Sequence, residues 1–324
     1  MSAQVTIVGA GVAGLCAARA LAWRGAEVVV WDREAAPGPH HCSWWAGGML
    51  APYCEAESAE PEVVAWGQSA ADWWERAGAE VTRNGSLVVS LTRDRADLAR
   101  FAKRTEGYRT VGAAGIAELE PDLEGRVSQG LFFEAEAHLT PRAAMAGLRA
   151  ALQADGVRFR VGEVEPASLP GTVVDTRGFS ARDVLDDLRG VKGEMLVLSC
   201  PEVSLSRPVR LLHPRMPFYI VPRGGGIFML GATQIEAVGD RITARSMMEL
   251  LNAAYALNPA FGEAEVVEIG VDSRPAFPDN LPRVVRDGAV IRANGLFRHG
   301  FLLGPWLGER VADMVMEARD ARRA

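Results

Sequence analysis

Cysteine is scarce. The chain has 324 residues and four cysteines, none in a CxxC pair and none at metal-ligand spacing. A disulfide framework and a zinc site are therefore without support, and Cys16, Cys42, Cys54 and Cys200 are expected to be reduced thiols of a cytoplasmic protein. Basic runs are missing too, apart from the short tail at residues 321–324, and the formal net charge is −6. Bulk electrostatics thus gives no case for a nucleic-acid partner. No apolar run reaches the roughly 20 residues that cross a bilayer. Residues 5–18 are uncharged, but no positive charge precedes them and three glycines sit inside them, which does not suit a signal peptide. Repeats and low-complexity tracts are absent. What remains is 48% hydrophobic and 23% charged, the composition of a soluble globular enzyme, and long enough for two domains or one large α/β unit.

The first motif starts at residue 4. Residues 4–8 read as a short, uncharged, β-branched strand. Gly9-Ala10-Gly11-Val12-Ala13-Gly14 follows, a G-x-G-x-x-G, then helix formers to Arg24, with Gly25 placed as a C-terminal cap. Residues 27–31 read as a second strand, ending at Asp32. In this arrangement Gly9 permits a tight turn, Gly11 lets backbone approach a pyrophosphate, and Gly14 lets helix and strand pack closely. The phosphates would sit at the helix N-terminus, where N–H groups and the dipole favour negative charge. Asp32 is placed to hold both ribose hydroxyls. The motif alone does not separate NAD from FAD.

The stretch Cys42-Ser43-Trp44-Trp45-Ala46-Gly47-Gly48-Met49-Leu50-Ala51-Pro52 suits neither a helix nor a strand interior. Rings beside bare backbone suggest a wall for a flat ligand. Beyond it the pattern predicts a helix over 61–77, a strand over 86–91 and another from 131. A helix over 141–154 is followed by strands over 157–161 and 172–175. Residues 195–200, 209–212, 218–221 and 227–231 form a run of strands, the last two joined by the turn signal Pro222-Arg223-Gly224-Gly225-Gly226. A helix around 247–257, a strand over 265–271 and a final helix from about 307 complete the reading. The expected fold class is α/β. A Rossmann-type nucleotide domain (1–50, 138–190 and 272–324) carries an inserted antiparallel-sheet substrate domain (51–137 and 191–271).

Five segments in this order resemble one family: the N-terminal fingerprint, SWWAGGMLAP, FYIVPRGGGIFMLGAT, SRPAFPDNLP and NGLFRHGFLLGP. The chain is similar to the FAD-dependent D-amino-acid oxidase superfamily and, more narrowly, to the glycine oxidases that supply the imine for thiazole formation in thiamine synthesis. The resemblance implies non-covalent FAD with O2 as acceptor. It implies cofactor contacts from Gly9, Gly11, Val12, Ala13, Gly14, Asp32, Arg33, Ser43, Ala46, Gly47, Gly48, Met49, Val164, Gly178, Arg298, His299, Gly300, Phe301 and Leu302. Trp44 and Trp45 would be walls beside the flavin. Arg274 would anchor the substrate carboxylate through its planar fork, with Tyr219 and Arg298 as further partners. No side-chain base is required. Gln234 stands where some relatives have Met, and would face the pocket or turn away. His40-His41 stands where relatives are small or Gly-rich. Glycine, small D-amino acids and sarcosine share the carboxylate anchor and stay open as substrates, as does hand-off to thiazole synthase. Oligomeric state also stays open. A non-catalytic flavin module and a nicotinamide dehydrogenase are the contrasting readings.

Overall fold

Val5–Val8 (β1), Val12–Trp23 (α1) and Val28–Asp32 (β2) form the strand–helix–strand unit that the glycine spacing predicts. They belong to a computed structural model that describes residues 4–91, 95–212 and 218–320. The basic tail at 321–324 lies outside the described residues. β1 and β2 run parallel, with Val5 opposite Val28. On its other side β1 pairs in parallel with Thr172–Asp175, which pairs in turn with Val290–Asn294. Arg158–Val161 joins beyond β2, and Arg283–Asp287 closes the opposite edge antiparallel. All of β1 is buried, which is why it is uninterrupted β-branched sequence: a parallel strand covered on both faces has no polar side.

The final helix, Gly300–Asp320, lies against α1. A Cβ on Gly308 would fall 2.7 Å from the Cys16 carbonyl carbon, so only glycine permits this approach. Segment 52–76 also contributes here. The helix expected over 61–77 is two helices, Pro61–Gly67 and Ala70–Arg76. A Cβ on Gly67 would meet Leu302 at 2.8 Å, so this position stays bare at the cost of helix continuity. Trp74 is fully buried and donates from its indole N–H to the Phe301 carbonyl at 2.8 Å. Trp73 donates to Glu309 at 3.0 Å.

Among the described residues a second, eight-stranded sheet carries the other half of the fold. Glu265–Ala276 is its edge, pairing antiparallel with Arg189–Ser199 through a bulge at Val197/Leu198. It is continuous across residue 272, so Arg274 stands on the same strand as the exposed Val266 and Val267. Ala244–Leu257 covers the sheet with Leu250, Ala253, Ala254 and Leu257. A small sheet of Met49–Leu50, Val81–Thr82 and Ala137–Leu139 lies between the two large ones in sequence. No helix among the described residues is long and apolar enough to cross a membrane, and all four cysteines are free.

Candidate cofactor and substrate site

The turn after β1 has the shape its glycines imply. Gly9 has φ +106°, and a Cβ there would fall 2.6 Å from the Thr176 carbonyl. A Cβ on Gly14 would fall 1.9 Å from the Gly9 carbonyl oxygen, so Gly14 serves packing and does not itself line the cavity. Gly11 caps α1, and a Cβ there would meet nothing closer than 3.6 Å. Gly9, Gly11, Val12 and Ala13 line a cavity of about 670 Å³. That volume is within the range of cofactor sites, about 300–1,000 Å³. Arg33, Val164 and Gly178 line it too, as do Gly300, Phe301 and Leu302. The Val12 N–H donates to Ser43 Oγ at 3.1 Å, which ties the loop after β2 to the start of α1.

Asp32 is more heavily engaged than a simple ribose acid. Oδ2 accepts from the Ala10 N–H at 2.6 Å and from His41 Nε2 at 3.0 Å. Oδ1 accepts from the Glu34 N–H at 3.2 Å and from His40 Nε2 at 3.1 Å. Burial opposes ionisation of this carboxyl, but the His41 bond and charge and the two backbone N–H groups hold it well below the usual carboxylate range. Asp32, His40 and His41 bring metal-type ligand atoms within 4.8 Å of one another. Each carboxylate oxygen already takes a backbone N–H, which marks the cluster as a hydrogen-bonded one. Asp32→Ala should weaken FAD retention by about 1.5–3 kcal/mol, the value of a hydrogen bond to a charged group. Flavin dissociation constants of parent and variant, from fluorescence titration of the apoprotein, check this; equal constants would remove Asp32 from the cofactor site.

At the other end of the cavity, Ala46, Gly47, Gly48 and Met49 form a wall. Arg223 donates to the carbonyls of Leu139 (3.1 Å), Ala46 (3.2 Å) and Gly47 (2.8 Å). Burial pulls its pKa down to about 10. The Gly48 carbonyl accepts from the Leu139 N–H at 2.9 Å. The Ala46 N–H donates to the Ser43 carbonyl at 3.4 Å, so with these carbonyls engaged what Gly47 and Gly48 chiefly offer a ligand is N–H. Gly48 is forced, and Gly47 is tightly packed. A Cβ on Gly48 (φ +73°) would fall 2.2 Å from the Leu139 carbonyl oxygen, and one on Gly47 would lie 3.0 Å from the Tyr219 ring. The two tryptophans part company. Trp45 lines the cavity, whereas Trp44 packs on the nucleotide-domain core with the Arg142 guanidinium 4.4 Å above its ring. The wall expected of Trp44 is not observed, because the 3-10 turn Cys42–Trp45 sends successive rings in different directions.

Beside that wall is a corner of about 40 Å³, lined by Met49, Glu55, Arg210, Tyr219, Ala232, Gln234, Arg274 and Arg298. The four side chains read from the sequence as substrate contacts all border it. Phe218 and Ile220 are buried in the sheet's core cluster, and Tyr219, between them, faces the other way. Burial pushes its hydroxyl above the usual phenol range, so it stays a hydrogen-bond donor. Arg274 Nη1 donates to the Thr233 carbonyl at 2.9 Å. Its guanidinium fills space that a Cβ on Gly193 would enter, at 2.1 Å. Among the described residues no carboxylate lies within ion-pair distance of Arg274. Gln234 is exposed, at the rim.

Arg298 differs. It pairs with Glu55 at 2.7 Å and donates to Ser58 Oγ at 2.9 Å. Arg210 binds the same carboxylate at 2.6 Å, and His299 Nε2 lies 3.0 Å from it. Burial works against the Glu55 charge, but Arg298 and Arg210 outweigh it and hold the carboxyl well below its usual range. Glu55, Arg210 and Arg223 are not anticipated from sequence. The available signal is Arg210, a charge inside the apolar strand Val209–Leu212, since buried arginines are paired.

A glycine turn on a parallel sheet, a large cavity and a cationic corner beside it define a nucleotide-dependent oxidoreductase. Residues 4–314 match the family described as FAD dependent oxidoreductase (DAO), and the chain belongs to it. It is 51% identical to the "Putative thiamine biosynthesis oxidoreductase ThiO" of Rhizobium etli, over 99% of both chains. It is 29% identical to the "Glycine oxidase" of Geobacillus kaustophilus, over 96% of this chain and 92% of that one. The crystal structure of glycine oxidase from that organism superposes with a TM-score of 0.81, at 24% identity, over 97% of this chain and 95% of the other. The "Bifunctional protein ThiO/ThiG" of Nostoc matches 98% of this chain at 27% identity, and the match spans 53% of that protein. FAD is therefore the cofactor, and the residues around the large cavity fit it: an acid at the end of β2, a helix N-terminus behind Gly11, and N–H groups at Gly47 and Gly48.

Proposed function

We propose that the protein is an amino acid oxidase acting on glycine, converting glycine, O2 and water to glyoxylate, ammonia and H2O2 through the imine. One observation carries this reading. Arg274 presents a guanidinium without a carboxylate partner to a corner of about 40 Å³ next to the cofactor cavity. A planar fork held in place and short of an anion binds a carboxylate through both oxygens. The corner shares Met49, Glu55, Tyr219, Arg274 and Arg298 with the lining of the cofactor cavity, so a carboxylate held there lies beside the cofactor. The Tyr219 hydroxyl, protonated, would donate to the same carboxylate. Bound FAD supplies the two-electron acceptor; the protein's part is positioning and exclusion of water. The named relatives support glycine and a place in thiamine synthesis. Relatives that carry a ThiG portion in the same chain support hand-off of the imine to a thiazole synthase.

Peroxide release by the flavin-loaded protein, measured against glycine, sarcosine, D-alanine and D-proline, tests the reading. One methylene changes binding by only about 1–3 kcal/mol, so glycine and D-alanine should both turn over, within roughly two orders of magnitude in kcat/KM. L-alanine should be nearly inert, because with carboxylate and amine fixed its Cα–H points away from the cofactor. Comparable rates on the two alanines would rule out this placement of the substrate. Preference for sarcosine or D-proline over glycine would move the assignment to a secondary-amine oxidase.

A further inference from the structure

The substrate corner holds three guanidiniums and one carboxylate, and the pairing is uneven. Glu55 Oε1 takes Arg210 at 2.6 Å, and Oε2 takes Arg298 at 2.7 Å with His299 at 3.0 Å. These groups come from three separate elements: the helix Pro52–Glu55, the strand Val209–Leu212 and the turn before the last helix. Among the described residues of the corner, Arg274 alone has no carboxylate partner and is left for a ligand. With one substrate carboxylate bound, three cations face two anions. A second substrate carboxylate would lie against Glu55 and find Arg210 and Arg298 already held. We propose that Glu55 is the residue that sets charge selectivity in this corner, admitting amino acids with one carboxylate and rejecting acidic ones by occupying the two arginines that would bind the second. The inference rests on the amino acid oxidase reading above. If Glu55 is only cement between elements, its removal costs stability and leaves charge preference alone.

D-aspartate and D-asparagine separate the two cases, since they match in size and differ in charge. The flavin-loaded parent and Glu55→Gln would be compared by kcat/KM on both compounds, with glycine alongside. Glu55→Gln removes the anion and frees the arginines, so the D-aspartate to D-asparagine ratio should rise about tenfold or more, as expected for a new charge pair in a desolvated site. In Glu55→Gln/Arg298→Gln the ratio should fall back toward the parent's. Arg298→Gln alone, with Glu55 kept, should lower the ratio below the parent's, and this holds the proposal open to refutation if Glu55→Gln does not fold. Where neither compound is turned over, the same ratio is read from competitive inhibition of glycine oxidation by malonate and its half-amide. A glycine-oxidising parent whose ratio moves less than about twofold, under roughly 0.4 kcal/mol, in the variants would overturn the proposal alone. A parent that oxidises no amino acid would overturn the functional reading and this inference with it.

Discussion

Arg274→Ala should lower kcat/KM for glycine by about 2–5 kcal/mol in transition-state binding while leaving FAD content unchanged. Truncation orphans a charge. The substrate carboxylate would sit in a desolvated corner with Arg274 as its unshared cation, so truncation leaves an anion buried beside arginines already held by Glu55. Arg274→Lys keeps the charge and loses the fork, so it should recover only part of the loss. A simple primary amine, lacking the carboxylate, should be a poor substrate for the parent and suffer little further in the variant. Glycine and amine turnover at saturating oxygen, with flavin checked by absorbance, measure this. If Arg274→Ala stayed within about threefold of the parent, a loss under roughly 0.7 kcal/mol, the anchor would have to be sought at Arg298 despite its bond to Glu55.

The second large effect belongs to Arg223. Its guanidinium bonds the carbonyls of Leu139, Ala46 and Gly47 and so holds the wall of the cofactor cavity from behind. Arg223→Met keeps most of the side-chain volume and leaves the Leu139, Ala46 and Gly47 carbonyls without that donor. At about 1 kcal/mol each the variant should lose about 3 kcal/mol, expressed both as lower thermal stability and as poorer flavin retention. Arg223→Lys, with a compact ammonium, should satisfy fewer of the carbonyls and fall between. Differential scanning calorimetry with and without added FAD separates the two losses. A Met variant that melts with the parent and keeps its flavin would mean that water replaces the guanidinium.

Features set by neighbours in the chain are legible in the sequence. Gly9, Gly11, Gly14 and Asp32 are read from spacing, because a turn between strand and helix is built from consecutive residues. Arg274 is legible through the resemblance carried by Ser273-Arg274-Pro275. The pairing of Glu55 with Arg210 and Arg298 is not, because it joins three elements far apart in the chain, and no local pattern encodes which arginine is left unpaired. Arg223 is hidden differently. In Pro222-Arg223-Gly224 it reads as part of a hairpin turn signal, whereas its side chain reaches to the carbonyls of Leu139, Ala46 and Gly47. The long helix expected over 61–77 fails for a third reason: the apolar pattern runs through it, but Gly67, kept bare by its approach to Leu302, lets the helix break there.

The sheet under the cofactor also has a history in time. β1 and β2 emerge first, yet the strand beside β1 ends at Asp175, the next at Asn294, and the helix seated on α1 at Asp320. At about 5–20 residues per second of synthesis, the first glycine turn waits on the order of 15–60 s for the segments that complete its pocket. The outer edges of β1 and β2 stay unpaired for about the first half of that wait, until the strands ending at Asp175 and Val161 have been made, and in that interval association with other unfinished chains competes with folding. FAD, meeting its whole site only in the finished chain, is a ligand of the completed fold and cannot template the early strands. Its supply in the cell therefore acts on this protein after synthesis, by mass action on the folded state.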